Sequence, residues 1–198
     1  MSLQIKKDTG VVYDPVFLKI LEDIPGGVTV KTNRFPDTTK EVKKGTLLNA
    51  SASSVGLYNI IKTVRATAAI KAGVTVIAIE PTDHLFKVGE FIFLYGATAS
   101  TIARVSTTAI AVSATLTTGL VVSGAVLYET ATIATATALY GASAILRNNV
   151  EVRKAGVETL LDNIFAGAIV RGTVDESELP YFVTDTDKTA LTARIRFA

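Results

Sequence analysis

Any catalysis by this chain would have to be built on very few side chains. His84 is its one imidazole, and the absence of cysteine excludes a thiolate nucleophile, a thiolate zinc site and a disulfide. A Ser-His-Asp arrangement would need His84 as its base. That residue lies in PTDHLF, a turn sequence between two strand-like runs, with no nucleophile signature beside it. The other candidates are carboxylates. Asp175, Glu176 and Glu178 could form a glycosidase pair, or join Asp185 and Asp187 as hard oxygen ligands for calcium. Their spacing is not that of an EF-hand loop, and neighbouring carboxylates in a loop read first as a solvated surface. The glycines form neither G-x-x-x-x-G-K-[ST] nor G-x-G-x-x-G, so no phosphate cradle is encoded. The tyrosines are dispersed and tryptophan is absent, which leaves sheet packing as their default role over a sugar platform. The expectation is no catalytic residue, no cofactor and no metal.

Composition bounds the remaining classes. The chain has 198 residues, 48% of them hydrophobic, enough to bury roughly 70% of the surface its unfolded form exposes without a covalent staple. Its net charge of +2 argues against bulk attraction to nucleic acid or to an anionic membrane. MSLQIKKDTG lacks the apolar run of a secretory signal, and Thr130 to Leu146 is too interrupted by Thr, Ser and Gly to span a bilayer. These features read as a soluble protein.

Charge is distributed unevenly. Residues 1–71 hold eleven Lys and Arg against six Asp and Glu, whereas from Phe91 to Leu146 only Arg104 and Glu129 are charged. The polar positions of that second stretch are Thr and Ser, and β-branched Thr fits a pleated surface. The basic excess has two readings. Lys40, Lys43 and Lys44 sit beside Asp37 and Glu41 as part of a solvated face, or they form a basic contact to an acidic partner together with an arm at Leu3, Gln4, Ile5, Lys6 and Lys7.

The elements that would position these groups are mostly strands. Asp14-Pro15 before VFLKILED reads as a short capped helix, with Phe17, Ile20, Leu21 and Ile24 at helical spacing and Pro25-Gly26-Gly27 as its stop. Strands are expected at Val28 to Thr32, Thr46 to Ala50 and Tyr58 to Val64. From about Ala66 to Glu129 the chain is nearly all strand and turn: Val74 to Glu80, Phe91 to Tyr95, Ile110 to Leu116 with a period of two, and Leu120 to Tyr128. This is the pattern of a small antiparallel barrel or sandwich. Further strands are expected at Thr137 to Leu139, Ala144 to Arg147 and Ala168 to Val174. Asp187 to Arg194 reads as a short helix with Asp187 near its cap, and Ile195 to Phe197 as a last strand.

Three runs in the C-terminal third, ILRNNVEV (Ile145 to Val152), AGAIVRGTVDESELP (Ala166 to Pro180) and DKTALTARIRF (Asp187 to Phe197), together with KKGTLLNAS near the N-terminus, carry a family resemblance. In this order they resemble the head decoration and head-fibre proteins of tailed bacteriophages. The resemblance covers about residues 28–63 and 131–198. It implies a mainly β fold: a decoration-protein-like core with short helices, formed by residues 1–65 and 131–198 and interrupted by an inserted β-domain at 66–130.

The function so implied is that of a structural virion protein, made in the host cytoplasm and bound to the outer capsid surface. There it would act as an auxiliary subunit stabilising the lattice of the major capsid protein. Its partners would be that protein and neighbouring copies of itself, with a trimer implied by the resemblance, and neither nucleic acid nor membrane. The alternatives are a head-fibre base on the same capsid and a β-rich adhesion or glycan-binding module.

Overall fold

The computed structural model describes residues 15–80, 84–94, 98–115, 123–134, 138–153 and 161–198. Its strands, in chain order, are β1 (Phe17–Asp23), β2 (Val28–Lys31), β3 (Glu41–Val42), β4 (Leu47–Ala50), β5 (Leu57–Ile60), β6 (Thr63–Arg65), β7 (Val76–Ala78), β8 (Phe91–Leu94), β9 (Ser100–Val105), β10 (Ala109–Val112), β11 (Val126–Thr130), β12 (Ala144–Leu146), β13 (Val150–Glu151), β14 (Asn163–Ala166), β15 (Ala168–Val174) and β16 (Ile195–Phe197). A short helix, α1 (Asp185–Leu191), and a 3-10 turn at Glu176–Glu178 accompany them. The protein is mainly β with few short helices.

The first sheet has the order β1-β15-β12-β4-β5-β2-β14, with β16 pairing β15 in parallel alongside. It is built from both ends of the chain. Leu48, Ile60, Leu146 and Ala168 turn to one face, where Phe35 and the valines of the antiparallel β3–β13 pair, Val42 and its neighbour Val152, cover them. Leu47, Ile145, Ile169 and Val174 turn to the other, under Leu191 of α1 and Ile195 of β16. Both faces are covered, so its central strands read as apolar runs rather than as alternation. Each fully buried Leu or Ile contributes roughly 1.5–3 kcal/mol, which makes these two layers the main support of the fold.

The second sheet runs β6-β11-β8-β9-β10-β7, antiparallel throughout. It curls until its two edge strands approach, where Ala66 bridges Ile79 and the Glu80 N–H donates to the Arg65 carbonyl at 2.9 Å. Here the alternation is clean: Val64, Ile77, Ile92, Leu94, Ile102, Ile110, Val112 and Leu127 fill the concave interior. Leu85 and Phe86 join the two units, for Leu85 packs into the first sheet's core and its neighbour Phe86 into the second's.

Several sequence expectations are corrected. Residues 17–23 form a strand and not a helix. Ile20 is 41% and Leu21 59% exposed, so the apolar stripe read at helical spacing has no core to face, and pairing along β15 satisfies backbone groups that one or two isolated helical turns would hold poorly. Gly26 and Gly27, both with φ near +75°, therefore turn one strand into the next and do not stop a helix. The run from Tyr58 to Val64 is two strands in two sheets, parted at Ile61-Lys62. Ala138 to Tyr140 is irregular, although Leu139 donates its N–H to the Glu129 carbonyl at 2.9 Å. Helix α1 begins at Asp185 on the cap Thr184, whose hydroxyl oxygen accepts the Asp187 N–H at 3.0 Å, so Asp187 sits in the first turn.

Four strands were missed outright. β9 carries one large inward residue, Ile102, and its other buried position is Ser100, whose hydroxyl accepts the Ala114 N–H. β14 is four residues long, and the β3–β13 pair spans only two residues on each side. The expected strand segments at Leu116, Leu120 to Val122 and Tyr95, and the helix cap at Asp14, lie outside the described residues.

Candidate functional site

Three of the five acidic residues singled out from the sequence are engaged in holding the fold, and the other two, Glu178 and Asp185, are exposed. Asp175 caps the 3-10 turn, its Oδ1 accepting from the Ser177 N–H at 3.0 Å and from the Ser177 hydroxyl at 2.6 Å. Glu176 pairs with Lys188 of α1 at 2.7 Å. Asp187 is buried, its Oδ2 accepts from the Thr184 hydroxyl at 2.8 Å, and the Ala142 backbone also donates to it. Burial pushes its carboxyl above the ordinary value of 3.8, against the pull of those hydrogen bonds. These groups do not converge on a common point, and among the described residues no group of three or more His, Asp or Glu is placed to hold a metal ion.

His84 sits beside the second sheet, with Nε2 2.9 Å from the Ser106 carbonyl and its ring 6.1 Å from that of Phe86. That contact makes Nε2 the donor, and Nδ1 is buried with no hydrogen-bond partner among the described residues. Among the described residues no nucleophile is hydrogen-bonded to the ring.

The basic group lies around the antiparallel β3–β13 pair. The Lys40 carbonyl accepts from the Val152 N–H at 3.0 Å, the Lys44 N–H donates to Asn149 Oδ1 at 2.8 Å, and the Lys43 carbonyl accepts from the Thr46 hydroxyl at 2.6 Å. Gly45, at φ +85°, makes the turn that follows, where a Cβ would sit 2.9 Å from Leu179 and Pro180. The backbone carrying Lys40, Lys43 and Lys44 is thus held by hydrogen bonds. Arg153, bonded through Nε to the Thr39 carbonyl at 2.9 Å, adds a further cation beside this pair. The arm residues Leu3, Gln4, Ile5, Lys6 and Lys7 lie outside the described residues.

A cluster that the sequence reading did not assemble lies where the two sheets join. Arg34 comes from the turn after β2, Lys62 from the crossing between β5 and β6, Glu90 from the turn before β8, Glu129 from β11, and Tyr140 from the segment before β12. The Lys62 ammonium donates to the Arg34 carbonyl at 2.6 Å and to Glu90 Oε1, and lies 3.9 Å from Glu129 Oε1. The Arg34 guanidinium pairs with Glu129 Oε1, donates to the Tyr140 hydroxyl at 2.7 Å and stacks 5.2 Å from the centre of the Tyr140 ring. Glu90 Oε2 accepts the Lys87 N–H at 2.8 Å. Glu129 Oε2 is buried with no hydrogen-bond partner among the described residues.

Burial decides the electrostatics of this cluster. It pushes Glu129 up to about 7, helped by the nearby Glu90 and opposed by Lys62 and Arg34. It also lowers Lys62, against the attraction of Glu129 and Glu90. Both shifts show desolvation outweighing attraction, as is common for ion pairs taken out of water. A carboxyl near pH 7 is chemically suited to acid–base work. The Glu129 side chain is only 3% exposed, however, and a substrate could reach Oε2 only by parting the two sheets. The cluster's geometry suits a rivet between β-units: four ionisable side chains and a phenol fix one docking angle that apolar contact alone would leave loosely specified.

Two further contacts strengthen the same seam. Thr63 donates its hydroxyl to the Phe182 carbonyl at 2.6 Å, and the Arg65 guanidinium lies 3.9 Å from the centre of the Phe182 ring.

No family model, no curated protein and no solved structure matches this chain.

Proposed function

We propose that this protein is a structural subunit of a tailed-phage particle: an auxiliary protein seated on the outer capsid surface that stabilises the lattice of the major capsid protein without performing chemistry. The observation that carries this reading is where its ionisable groups are spent. Asp175 and Asp187 cap helical turns, Glu176 pairs with Lys188, and Arg34, Lys62, Glu90 and Glu129 rivet the two sheets. What remains exposed is large apolar surface at both ends of the first sheet, with Leu18, Ile20 and Leu21 on β1 and Phe165, 69% exposed, on β14. A rigid body with apolar sheet ends suits repeated contacts with neighbours, and the sequence resemblance to decoration proteins supports the same role.

On this reading the basic segment with Lys40, Lys43 and Lys44 meets an acidic patch of the shell, and the arm with Lys6 and Lys7 reaches across to a neighbouring capsomer. Many weak contacts repeated by symmetry supply the strength.

Counting this chain against the major capsid protein, by quantitative peptide mass spectrometry of purified particles, tests the reading. A fixed ratio and hundreds of copies are expected. A few tens of copies would indicate a fibre base instead, and absence from particles would overturn the proposal.

A further inference from the structure

β1 is an odd strand energetically. Of its seven residues only Phe17 is buried, yet it carries Leu18, Ile20 and Leu21 at 45%, 41% and 59% exposure. Among the described residues it pairs with β15 alone, so its other edge faces outward. Three register shifts interrupt the pairing with β15, and they leave Leu18 and Leu21 without opposite partners. Bulges of this kind re-aim side chains. Here they bring Leu18 and Leu21 to the outside, on an edge whose charges, Lys19, Glu22 and Asp23, are mixed in sign.

The strand also carries its own counter-charge. Lys19 stands at one end, Glu22 and Asp23 at the other, and Ile20-Leu21 lie between them. Asp23 and Glu22 have surface partners in Arg147 and Arg171, the latter at 3.6 Å, whereas Lys19 has no ion pair among the described residues. When two copies of this strand lie antiparallel, Lys19 of each faces the acidic end of the other and the apolar centres coincide. A parallel arrangement sets like charge against like.

We propose that the β1 edge is a docking surface for a second copy of this chain, the two strands antiparallel about a twofold axis through Leu21. Leu21 of each copy packs on Leu21 of the other, and Lys19 pairs with Asp23 across the axis. This contact uses the β1 end of the sheet that the capsid reading leaves to neighbours, its test does not depend on that reading, and it is separate from the threefold arrangement that the resemblance implies.

The absence of cysteine makes the test direct. Leu21→Cys on the full chain places a lone thiol beside the axis, where opposing β-carbons fall within disulfide reach. At micromolar concentration under mild oxidation it should form a covalent dimer at least about tenfold faster than Val55→Cys, a control more accessible than Leu21, at 107% against 59% exposure. Adding Lys19→Glu should slow the reaction, and adding Asp23→Lys to that variant should restore it. Equal rates for the two single thiols would overturn the proposal, as would a rate indifferent to Lys19→Glu. Dimerisation of Leu21→Cys that occurs only after residues 1–13 are deleted would also overturn it, because the chain's own N-terminal segment would then be the occupant.

Discussion

Glu129 Oε1 lies 3.9 Å from Lys62 Nζ across the join between the two sheets, with the two side chains 3% and 1% exposed. Each partner is shifted towards its neutral form by burial, so the pair specifies a geometry more than it adds stability.

The linkage sign for Glu129 follows from a folded value of about 7 against an ordinary 4.5. In the folded state it keeps a proton that the unfolded chain releases. Its contribution is therefore fully present below about pH 4.5 and is lost as pH rises through 7. Glu129→Gln removes this dependence. Urea titrations at pH 5 and pH 8 should show the stability difference between wild type and variant moving in the variant's favour by on the order of 2 kcal/mol at the higher pH. Parallel pH curves would mean that Glu129 titrates alike in both states.

Lys62→Met should be costly, because it leaves Glu90 and Glu129 buried with Arg34 as the remaining cation. A loss of about 3 kcal/mol is expected for breaking such a cluster from one side. Glu129→Gln added to Lys62→Met should recover at least roughly 1 kcal/mol, since it removes the charge left uncompensated. A double variant as unstable as the sum of the two single ones would show that these residues act separately.

How legible this arrangement was in the sequence differs by element. β15 and β16 were read at their observed bounds, because AIVRGTV and IRF are short β-rich runs closed by turn signals. β1 was read as a helix: Phe17, Ile20, Leu21 and Ile24 fit a period of 3.6, and what overrides that period is the open edge of β15, which no local pattern encodes. The junction cluster was invisible for a different reason. Arg34 and Glu129 are 95 residues apart, and Lys62 and Glu90 are 28 apart. Two signals for it were nonetheless present: Glu129 is the one acidic residue between Phe91 and Leu146, and Lys62 follows two isoleucines in a strand-like run. An isolated charge in apolar sequence is a request for a distant partner, and the partner's identity is set by topology.

The cap of α1 offers a separate test. Thr184→Ala removes both the acceptor of the Asp187 N–H and the donor to the Asp187 carboxylate. A loss of about 1 kcal/mol is expected from the cap alone. The Thr184 hydrogen bonds hold the Asp187 carboxyl down against burial, so the same change should raise its titration midpoint further. Carboxyl-detected NMR titration of the two proteins measures this, and an unmoved Asp187 midpoint would show that the hydroxyl does not stabilise the ionised form.

Gly172 governs whether β1 can dock at all. It lies opposite Ile20 on β15, where a Cβ would fall 2.5 Å from the Lys19 carbonyl oxygen, and its N–H donates to the Arg194 carbonyl at 3.1 Å. The clash is with backbone, so no rotamer change relieves it, and Gly172→Ala must push β1 away from β15. A cost of roughly 2–3 kcal/mol is expected from such overpacking. Gly89→Ala is the control, since a Cβ there meets nothing within 4 Å and only the left-handed backbone, φ +89°, is strained. Hydrogen exchange separates the two effects. In Gly172→Ala the β1 amides should exchange much faster while those of β4 and β12 stay protected, because among the described residues β1 hangs on β15 alone and the central strands keep their own neighbours. Uniform acceleration across the first sheet would instead mean that β1 is integral to its core, and the exposure of Leu18 and Leu21 would then need another account.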